Sequence, residues 1–595
     1  MSPREDRGSH MTAMTRYSRY YLPAACFLLL TSFFLMLPPL KYCRLSEGGS
    51  RRMDRRDALL AGVLTLVYAL CAFTGLGNTE SPQSFVNMQG RTAEMTLDLD
   101  GGMVSHLMLF TGVGIGTYEI RYTTNGQDDY LLARFVQNSA DVLKWHDVYS
   151  DWWITGGTIR IRGSGNVWLG EVAALTVDGT RVALTSEDAA LCDEQDTLPA
   201  KQNFMNSAYF DEIYHARTAW EQLKSIWPYE ITHPPLGKTI IGLGVRLFGM
   251  TPFGWRFSGT LCGVLMLPLL YVLAKKLFGG RLAPAACTVL MATDFMHFVQ
   301  TRISTIDVYA VFFILLMYLF MYLFVGEGKL WALALSGVCF GLGAASKWTC
   351  FYAGAGLAVL WAIWAVESAK SGALSWKGFL KNCGFCVVFF ILVPALIYDL
   401  AYLPYGRALG YTNPFSRGYI RMVLDNQNYM FTYHSGLVAT HPYASRWYQW
   451  VLDIRPILYY LEYFSNGTHS SFGAWVNPVL CWGGLLALFV LAYLALVRRD
   501  RVSRFILIGY LAQLLPWIPV TRLTFAYHYF PCTVFLALAL GRCFSVMKLN
   551  VMRGRAYVAC FAALSLAVFI LFYPSLAGTP VPNGFLRSWL PTWPF

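Results

Sequence analysis

Stretches of about 20 mainly apolar residues, the length that crosses a bilayer core, recur along this chain with short basic connections between them. In hydrocarbon a backbone must satisfy its own polar groups, so such stretches can only be helices or closed barrels, and their length selects helices. They lie near 22–39, 58–76, 256–277, 283–301, 304–325, 330–346, 350–366, 383–402, 476–497, 505–520, 529–546 and 556–574. Composition agrees. The 595 residues are 55% hydrophobic and 14% charged, where a soluble domain carries roughly 25% charged residues. A net charge of +12 raises the question of nucleic acid. The cations fall between hydrophobic runs and form no soluble basic patch with interleaved aromatics, so the expected partner is the lipid bilayer and no nucleic acid.

Lys and Arg collect on the cytoplasmic side of membrane proteins. The segments "KKLFGGR" (275–281), "GEGK" (326–329), "ESAKSGALSWKGFLKN" (367–382), "VRRDRVSR" (497–504) and "MKLNVMRGR" (547–555) are short, basic and fall at every second gap. "RRMDRRD" (51–57) fits the same side. The chain therefore reads as a polytopic α-helical membrane protein of about eleven core spans from residue 58 onward, starting inside and ending outside. Before residue 52 two readings stay open, an additional span or a non-cleaved signal-like extension. We expect an extra helix of minor functional weight, and Met53 would itself make a good inside start.

Two large regions then face outside. Residues 80–195 alternate apolar and polar positions in "TAEMTLDLD", "YEIRYTT", "TIRIRG" and "VAALTVDGTRVAL", separated by Gly, Asn and Asp. Period-two patterning at short spacing predicts a β-sandwich-like module. Trp145, Trp152, Trp153 and Trp168 are candidates for stacking on sugars, although buried aromatics more often fill small β cores. Residues 403–475 are aromatic and irregular, as functional loops above a membrane often are. The divisions we draw are an N-terminal extension (1–57), a first core span (58–79), the β module (80–195), an outer loop with an acid pair (196–255), a helical core (256–402), the aromatic loop (403–475) and a C-terminal helical core (476–595). Of fourteen Cys, only Cys192 is clearly in a polar region. The rest read as small buried hydrophobes, so neither a disulfide framework nor a CxxC metal site is expected.

The chemistry-bearing residues fall on the outer side. In "SAYFDEIYHARTAWEQLK" Ser207 is a plausible N-cap, with Asp211 and His215 four apart on one helical face. A carboxylate there can take a proton from a hydroxyl nucleophile if nearby cations and the helix N-terminus hold it ionised. An arbitrary Asp-Glu pair is more often a cap or a solvated pair, so Asp211 and Glu212 alone decide little. Other outer residues add weight: Arg302 and Asp307 in "QTRISTIDVY", Lys347 in "GAASKWTC", Arg455 in "DIRPILYY", and Arg522 and His528 in "PVTRLTFAYHYFP". Any one cation could snorkel to the interface. Several on the face that should be poor in cations suit an anionic headgroup, above all a lipid phosphate.

Four stretches, "FDEIYHARTAWE", "HPPLGK", "ATHPYASRWYQWVLDIRPILYY" and "YLAQLLPWIPVTRLTFAYHYFP", resemble, in order, the motifs of the protein O-mannosyltransferases, multi-span glycosyltransferases of the GT-C type. The resemblance runs from about residue 204 to 575 and does not cover the β module. In eukaryotic relatives a β-trefoil sits in the later large loop, which is short here; this chain instead places a β module ahead of the acid pair. The resemblance implies a polyprenyl-phosphate mannose donor, a Ser/Thr protein acceptor and an active site on the extracytoplasmic side of a cell membrane. By it Asp211 would be the general base, Glu212 would position acceptor or donor, and Arg302 would lie near the donor phosphate. His233, Pro234, Pro235, Gly237 and Lys238 match HPPLGK and would shape the loop over the site. Lys347, Arg522 and His528 are weaker candidates for the donor phosphate, and His215, Asp307 and Arg455 for positioning. No DxD or His/Cys metal cluster is evident, so no cofactor beyond the donor substrate is expected. An inverting single displacement follows, in which cations neutralise the phosphate leaving group.

Three other functions fit parts of the sequence. GT-C enzymes that glycosylate lipids or wall polymers share the fold, but would not be expected to carry "HPYASRWYQW" and "FAYHYFP" together. A lipid or solute transporter predicts inverted repeats, and no internal symmetry is apparent. A wall-binding scaffold with a vestigial site would not need intact motifs.

Overall fold

A computed structural model describes residues 50–98, 103–124, 128–154, 157–547 and 552–593; the extra N-terminal helix expected near 22–39 lies outside them. Each of the eleven core spans has a helical counterpart. The first is α1 (Arg55–Phe73). After the β module come two shorter helices, α2 (Glu212–Leu223) and α3 (Leu236–Phe248), then α4 (Pro252–Phe278). The next span is broken into α5 (Leu282–Ala292) and α6 (Phe295–Arg302), which meet at 55°. Then follow α7 (Asp307–Glu327), α8 (Leu330–Ser346), α9 (Cys350–Lys370), and a 33-residue stretch formed by α10 (Trp376–Val387), α11 (Val393–Ala401) and α12 (Leu403–Ala408). Over the outer loop run α13 (Arg417–Gly436) and α14 (Trp447–Val451). The last four spans contain α15 (Pro478–Leu496), α16 (Arg501–Leu514), α17 (Phe530–Val546) and α18 (Met552–Ala577), with α19 (Phe585–Trp589) after them. Eight of these segments are long and apolar enough to cross a bilayer unaided. The break before α6 has a local cause: Asp294 leaves the helix and caps the next one through its bond from the His297 N–H, while its other oxygen accepts the Asn477 N–H at 3.0 Å.

Ion pairs tie the basic connections together on one face. Asp54 caps α1 and takes the Arg281 guanidinium, and buried Asp57 pairs with Lys275 at 2.9 Å and accepts from the Tyr271 hydroxyl at 2.9 Å. Glu327 meets Lys276, Glu367 meets Arg501 and Arg504, and Asp500 meets Arg542. The opposite ends of the same helices carry the β module, α2, α13 and the acid pair.

The β module contains β1 (Val86–Asn87), β2 (Thr92–Asp98), β3 (Val104–Thr123), β4 (Tyr130–Gln137), β5 (Lys144–Ile154), β6 (Gly157–Thr176) and β7 (Arg181–Ser186). It is one antiparallel sheet rather than two separate ones. The 20-residue strands β3 and β6 run side by side; β5 and β7 flank one half of the pair, β4 and β2 the other, and a β2–β7 pairing links the two halves. The sheet bends on itself where the β3–β6 register slips between Phe110 and Gly114. Gly114 has φ +107, and a Cβ there would sit 1.6 Å from the Asn166 carbonyl oxygen, so only glycine fits. Buried Gln137 donates to the carbonyls of Gly112 and Gly114 that the bulge frees, and takes the Tyr118 hydroxyl on its own oxygen. Leu109, Tyr118, Ile120, Ile161, Leu169 and Val172 fill the fold between the halves.

The region 403–475 is more regular than its composition suggests. Beyond α13, β8 (Ile457–Tyr463) and β9 (Thr468–Ala474) form a hairpin around Asn466-Gly467, and β10 (Val581–Pro582), which follows α18, adds a third strand.

Candidate active site

Asp211 stands at the first turn of α2, not inside it; the helix begins at Glu212. Ser207, expected as the N-cap, instead donates its hydroxyl to the Asn203 carbonyl. The turn is forced by Phe210, whose φ of +48 is a left-handed conformation that a bulky residue adopts only when held there. Its ring is clamped 4.4 Å from that of Tyr459 on β8. Successive positions at a helix start point about 100° apart, so the two acids of the pair aim in different directions.

Glu212 points into the protein and is 0% exposed. One carboxylate oxygen accepts from Arg256 Nε at 2.8 Å and from the Ser304 N–H at 3.0 Å, the other from Arg256 Nη2 at 2.8 Å. Arg256 in turn donates to the carbonyls of Leu76 and Ser207. With every lone-pair direction committed inside the protein, Glu212 cannot hold acceptor or donor, which corrects the expectation for it. It fastens α2 to α4 and to the loop before α7. Removing one partner of so buried a pair costs about 3–5 kcal/mol.

Asp211 is half-buried and its carboxylate has no hydrogen-bond partner among the described residues. Burial, aided by the charge of Asp307 and opposed by Lys347, pushes it up to about 7. That differs from the sequence expectation of a carboxyl held firmly ionised, because desolvation outweighs the cation. Lys347, just past α8, donates to Asp307 at 2.7 Å and lies 5.5 Å from the centre of the Tyr527 ring. Arg522 belongs to the same neighbourhood, since its charge acts on Tyr527, His434 and His528. It donates only to the adjacent Leu523 carbonyl and has no carboxylate partner among the described residues. His528 stacks on Trp450 at 5.7 Å and on Tyr527 at 4.6 Å.

The loop "EITHPPLGK" is organised by Glu230, a residue sequence reasoning passed over. Its carboxylate takes the buried Lys238 ammonium at 2.5 Å and the His233 ring at 3.0 Å. Burial would raise this carboxyl, but Lys238 and His233 hold it well below the ordinary carboxylate range. Lys238 also donates to the Glu230 and His233 carbonyls, and Pro235 precedes α3, where its missing N–H costs nothing. The Gly237 Cβ position is blocked by Ile306 at 2.8 Å, which lets this loop sit against the turn before Asp307. His233, His215 and His434 form a ring cluster, with centroids 6.1 and 5.1 Å from His233. Burial lowers His215 to about 3 and His434 to about 4, so both are neutral at pH 7. The cation whose charge reaches Asp211 is Lys347, while Arg522 acts on the rings of Tyr527, His434 and His528 beside it.

Two expected residues lie elsewhere. Arg302 ends α6 and donates to the Thr74 and Gly75 carbonyls at 2.8 and 2.7 Å, lying over the Phe298 ring. It shares a small cavity with Arg256 and Tyr209, on the far side of the Glu212 clamp, and the charges that reach Asp211 are those of Asp307, Lys347 and Glu230. Arg455 donates to the Pro442 carbonyl and lines a separate groove with Arg587 and Thr592. The Trp candidates of the β module divide. Trp145 is buried against Phe110 at 5.4 Å and Trp168 packs edge-on against Trp220 of α2 at 5.5 Å, so both are packing residues. The side chains of Trp152 and Trp153 lie outside what is described.

Two family models match the chain. "Dolichyl-phosphate-mannose-protein mannosyltransferase" covers residues 232–398, and "C-terminal four TMM region of protein-O-mannosyltransferase" covers 419–593. A polyprenol-phosphate-mannose–protein mannosyltransferase of Mycolicibacterium smegmatis is 27% identical over 453 residues, 64% of this chain and 87% of that protein. The protein of the same name from Mycobacterium tuberculosis is 25% identical over 456 residues, 64% of this chain and 86% of its own length. Among solved structures, the S. cerevisiae protein O-mannosyltransferase Pmt1-Pmt2 complex bound to the sugar donor superposes with a TM-score of 0.57 at 14% identity, covering 65% of this chain and 89% of that one. That superposition speaks for the fold, and the matched regions hold the HPPLGK loop, Lys347 and Arg522. By sequence and by fold, the chain belongs to the protein O-mannosyltransferase family.

Proposed function

We propose that the protein transfers mannose from polyprenyl-phosphate mannose to Ser or Thr hydroxyls of proteins on the extracytoplasmic side of a cell membrane. The observation that carries this reading is the half-buried Asp211 carboxylate, without a hydrogen-bond partner among the described residues and under the charge of the Lys347–Asp307 pair. The names of the relatives supply donor and acceptor class.

In this reading the acceptor hydroxyl attacks the anomeric carbon of mannose from the face opposite the phosphate. The new C–O bond forms as the bond from that carbon to the phosphate oxygen breaks, with inversion. The hydroxyl proton passes to Asp211, whose value of about 7 suits a base that works near neutrality. Negative charge grows on the departing polyprenyl phosphate, and Arg522 and Lys347 neutralise it through charge-assisted hydrogen bonds. Arg522 is the stronger candidate because Asp307 already occupies Lys347. Asp307 does two things at once: it orients Lys347 and its own charge raises Asp211. His233 and the Glu230–Lys238 pair fix the loop beneath the acceptor.

The test is transfer of radiolabelled mannose from polyprenyl-phosphate mannose to a Ser/Thr-rich peptide by the purified protein. Asp211→Asn should lower transfer at least about 100-fold, the scale of a lost general base. Equal activity in the two proteins removes Asp211 from the mechanism, and label appearing only on lipid favours a glycolipid or polymer acceptor.

A further inference from the structure

Where the β module joins the rest of the chain, three acids converge that no step of the transfer uses. Glu171 on β6 and Asp193 and Glu194, in the segment leading from β7 toward α2, place carboxylate oxygens within 4.8 Å of one another. Glu171 is 0% exposed. Its Oε2 accepts the Glu194 N–H at 2.9 Å, but its Oε1 is buried with no hydrogen-bond partner. A buried carboxylate oxygen without a partner is costly unless something absent from the polypeptide satisfies it. The neighbouring charges make the cost larger, since Asp193 and Glu194 are both negative and no salt bridge to a cation relieves the three acids among the described residues.

We propose that Glu171, Asp193 and Glu194 bind a hard divalent cation, calcium in the first place. The donor set is all oxygen, which selects Ca²⁺, Mg²⁺ or Mn²⁺ over softer metals. Each of the three acids brings one carboxylate oxygen into the same cluster, close enough together to share a single ion. The trio grades from buried Glu171 through half-buried Glu194 to exposed Asp193, which leaves an open side for the water ligands that calcium takes to complete six to eight oxygens.

The site has a mechanical meaning. The second function of Glu194 is to accept the backbone N–H groups of Gln83 at 2.7 Å and Ser84 at 3.2 Å through Oε2. Gln83 then accepts the Met250 N–H at 2.6 Å, just before α4. A cation on Glu171 and Glu194 would therefore complete a continuous tie from the long β6 strand to the start of a membrane span. It acts on how the module is held, not on the transfer chemistry.

The experiment uses the full chain in a phosphate-free detergent, stripped with a chelator and titrated with CaCl₂ by calorimetry and by thermal unfolding. The wild type should take up calcium at one saturable site and unfold roughly 2–4 °C higher with calcium than with chelator, the scale of a ligand well above its Kd. Glu171→Gln and Asp193→Asn should each abolish that uptake and the calcium-dependent shift. Asp193 is exposed, so Asp193→Asn remains informative even if Glu171→Gln fails to fold. A wild type without saturable uptake overturns the proposal, as does unchanged uptake in Asp193→Asn.

Discussion

A carboxyl at about 7 has a sign that can be checked at the level of the single residue. Asp211 acts as a base only when deprotonated, so kcat/KM should rise about tenfold per pH unit well below 7 and level off above it. A profile that is flat from pH 5.5 to 8 would contradict the role. Arg522 gives a second test. As the cation without a carboxylate partner, its loss in Arg522→Ala should raise the KM for the prenyl donor by roughly tenfold or more, the worth of a charged hydrogen bond. The KM for peptide should stay nearly unchanged, and a reversed pattern would place Arg522 at the acceptor. What could be read in advance here was residue type and side of the membrane. That Glu212 is the acid that turns inward could not, because its partner Arg256 lies 44 residues away in sequence and meets it only in the folded chain. Glu230 left a plainer trace, an acid three residues before His233, but its role needs the loop closed on Lys238.

Among the elements, α2 carries the most consequence. Its N-terminus is fixed by the Glu212–Arg256 clamp and its far end by Trp220, which receives Trp168 and Phe85 of the β module edge-on at 5.5 and 5.2 Å. Edge-to-face aromatic pairs add about 0.5–1.5 kcal/mol each beyond area burial. Trp168→Ala should loosen this seam by up to about 3 kcal/mol and speed proteolysis of the 187–206 segment, while leaving the donor KM unchanged. If the segment stays as resistant as in the wild type, the seam lies elsewhere. Alternation of apolar and polar residues was enough to expect strands between 80 and 195. It could not distinguish two stacked sheets from one sheet folded over, because that depends on the slip at Gly114 and on Gln137 meeting the freed carbonyls. In 403–475 the aromatic content masked the β8–β9 hairpin, although Asn466-Gly467 is a recognised turn pair.

For the whole molecule the informative pattern was charge between spans. The ion pairs of Asp57, Glu367 and Asp500 show the basic connections meeting on one face, although bends such as the one at Asp294 leave no hydropathy trace. The side of the membrane is open to a direct check. Ser435→Cys, exposed at the end of α13, should react with a membrane-impermeant maleimide in intact cells, and Ser371→Cys, exposed beyond α9, only after permeabilisation. The opposite pattern would reverse the topology. The Glu212–Arg256 clamp bears on how such a chain could change over time. The Asp211 carboxylate that we propose as the base takes its position from helices of the lipid-embedded body, while the appended sheet packs on the same helix from behind. Ancestral forms could thus have gained, exchanged or shed the appendage without relocating the chemistry, so variation among homologues should concentrate in the sheet and spare the clamp.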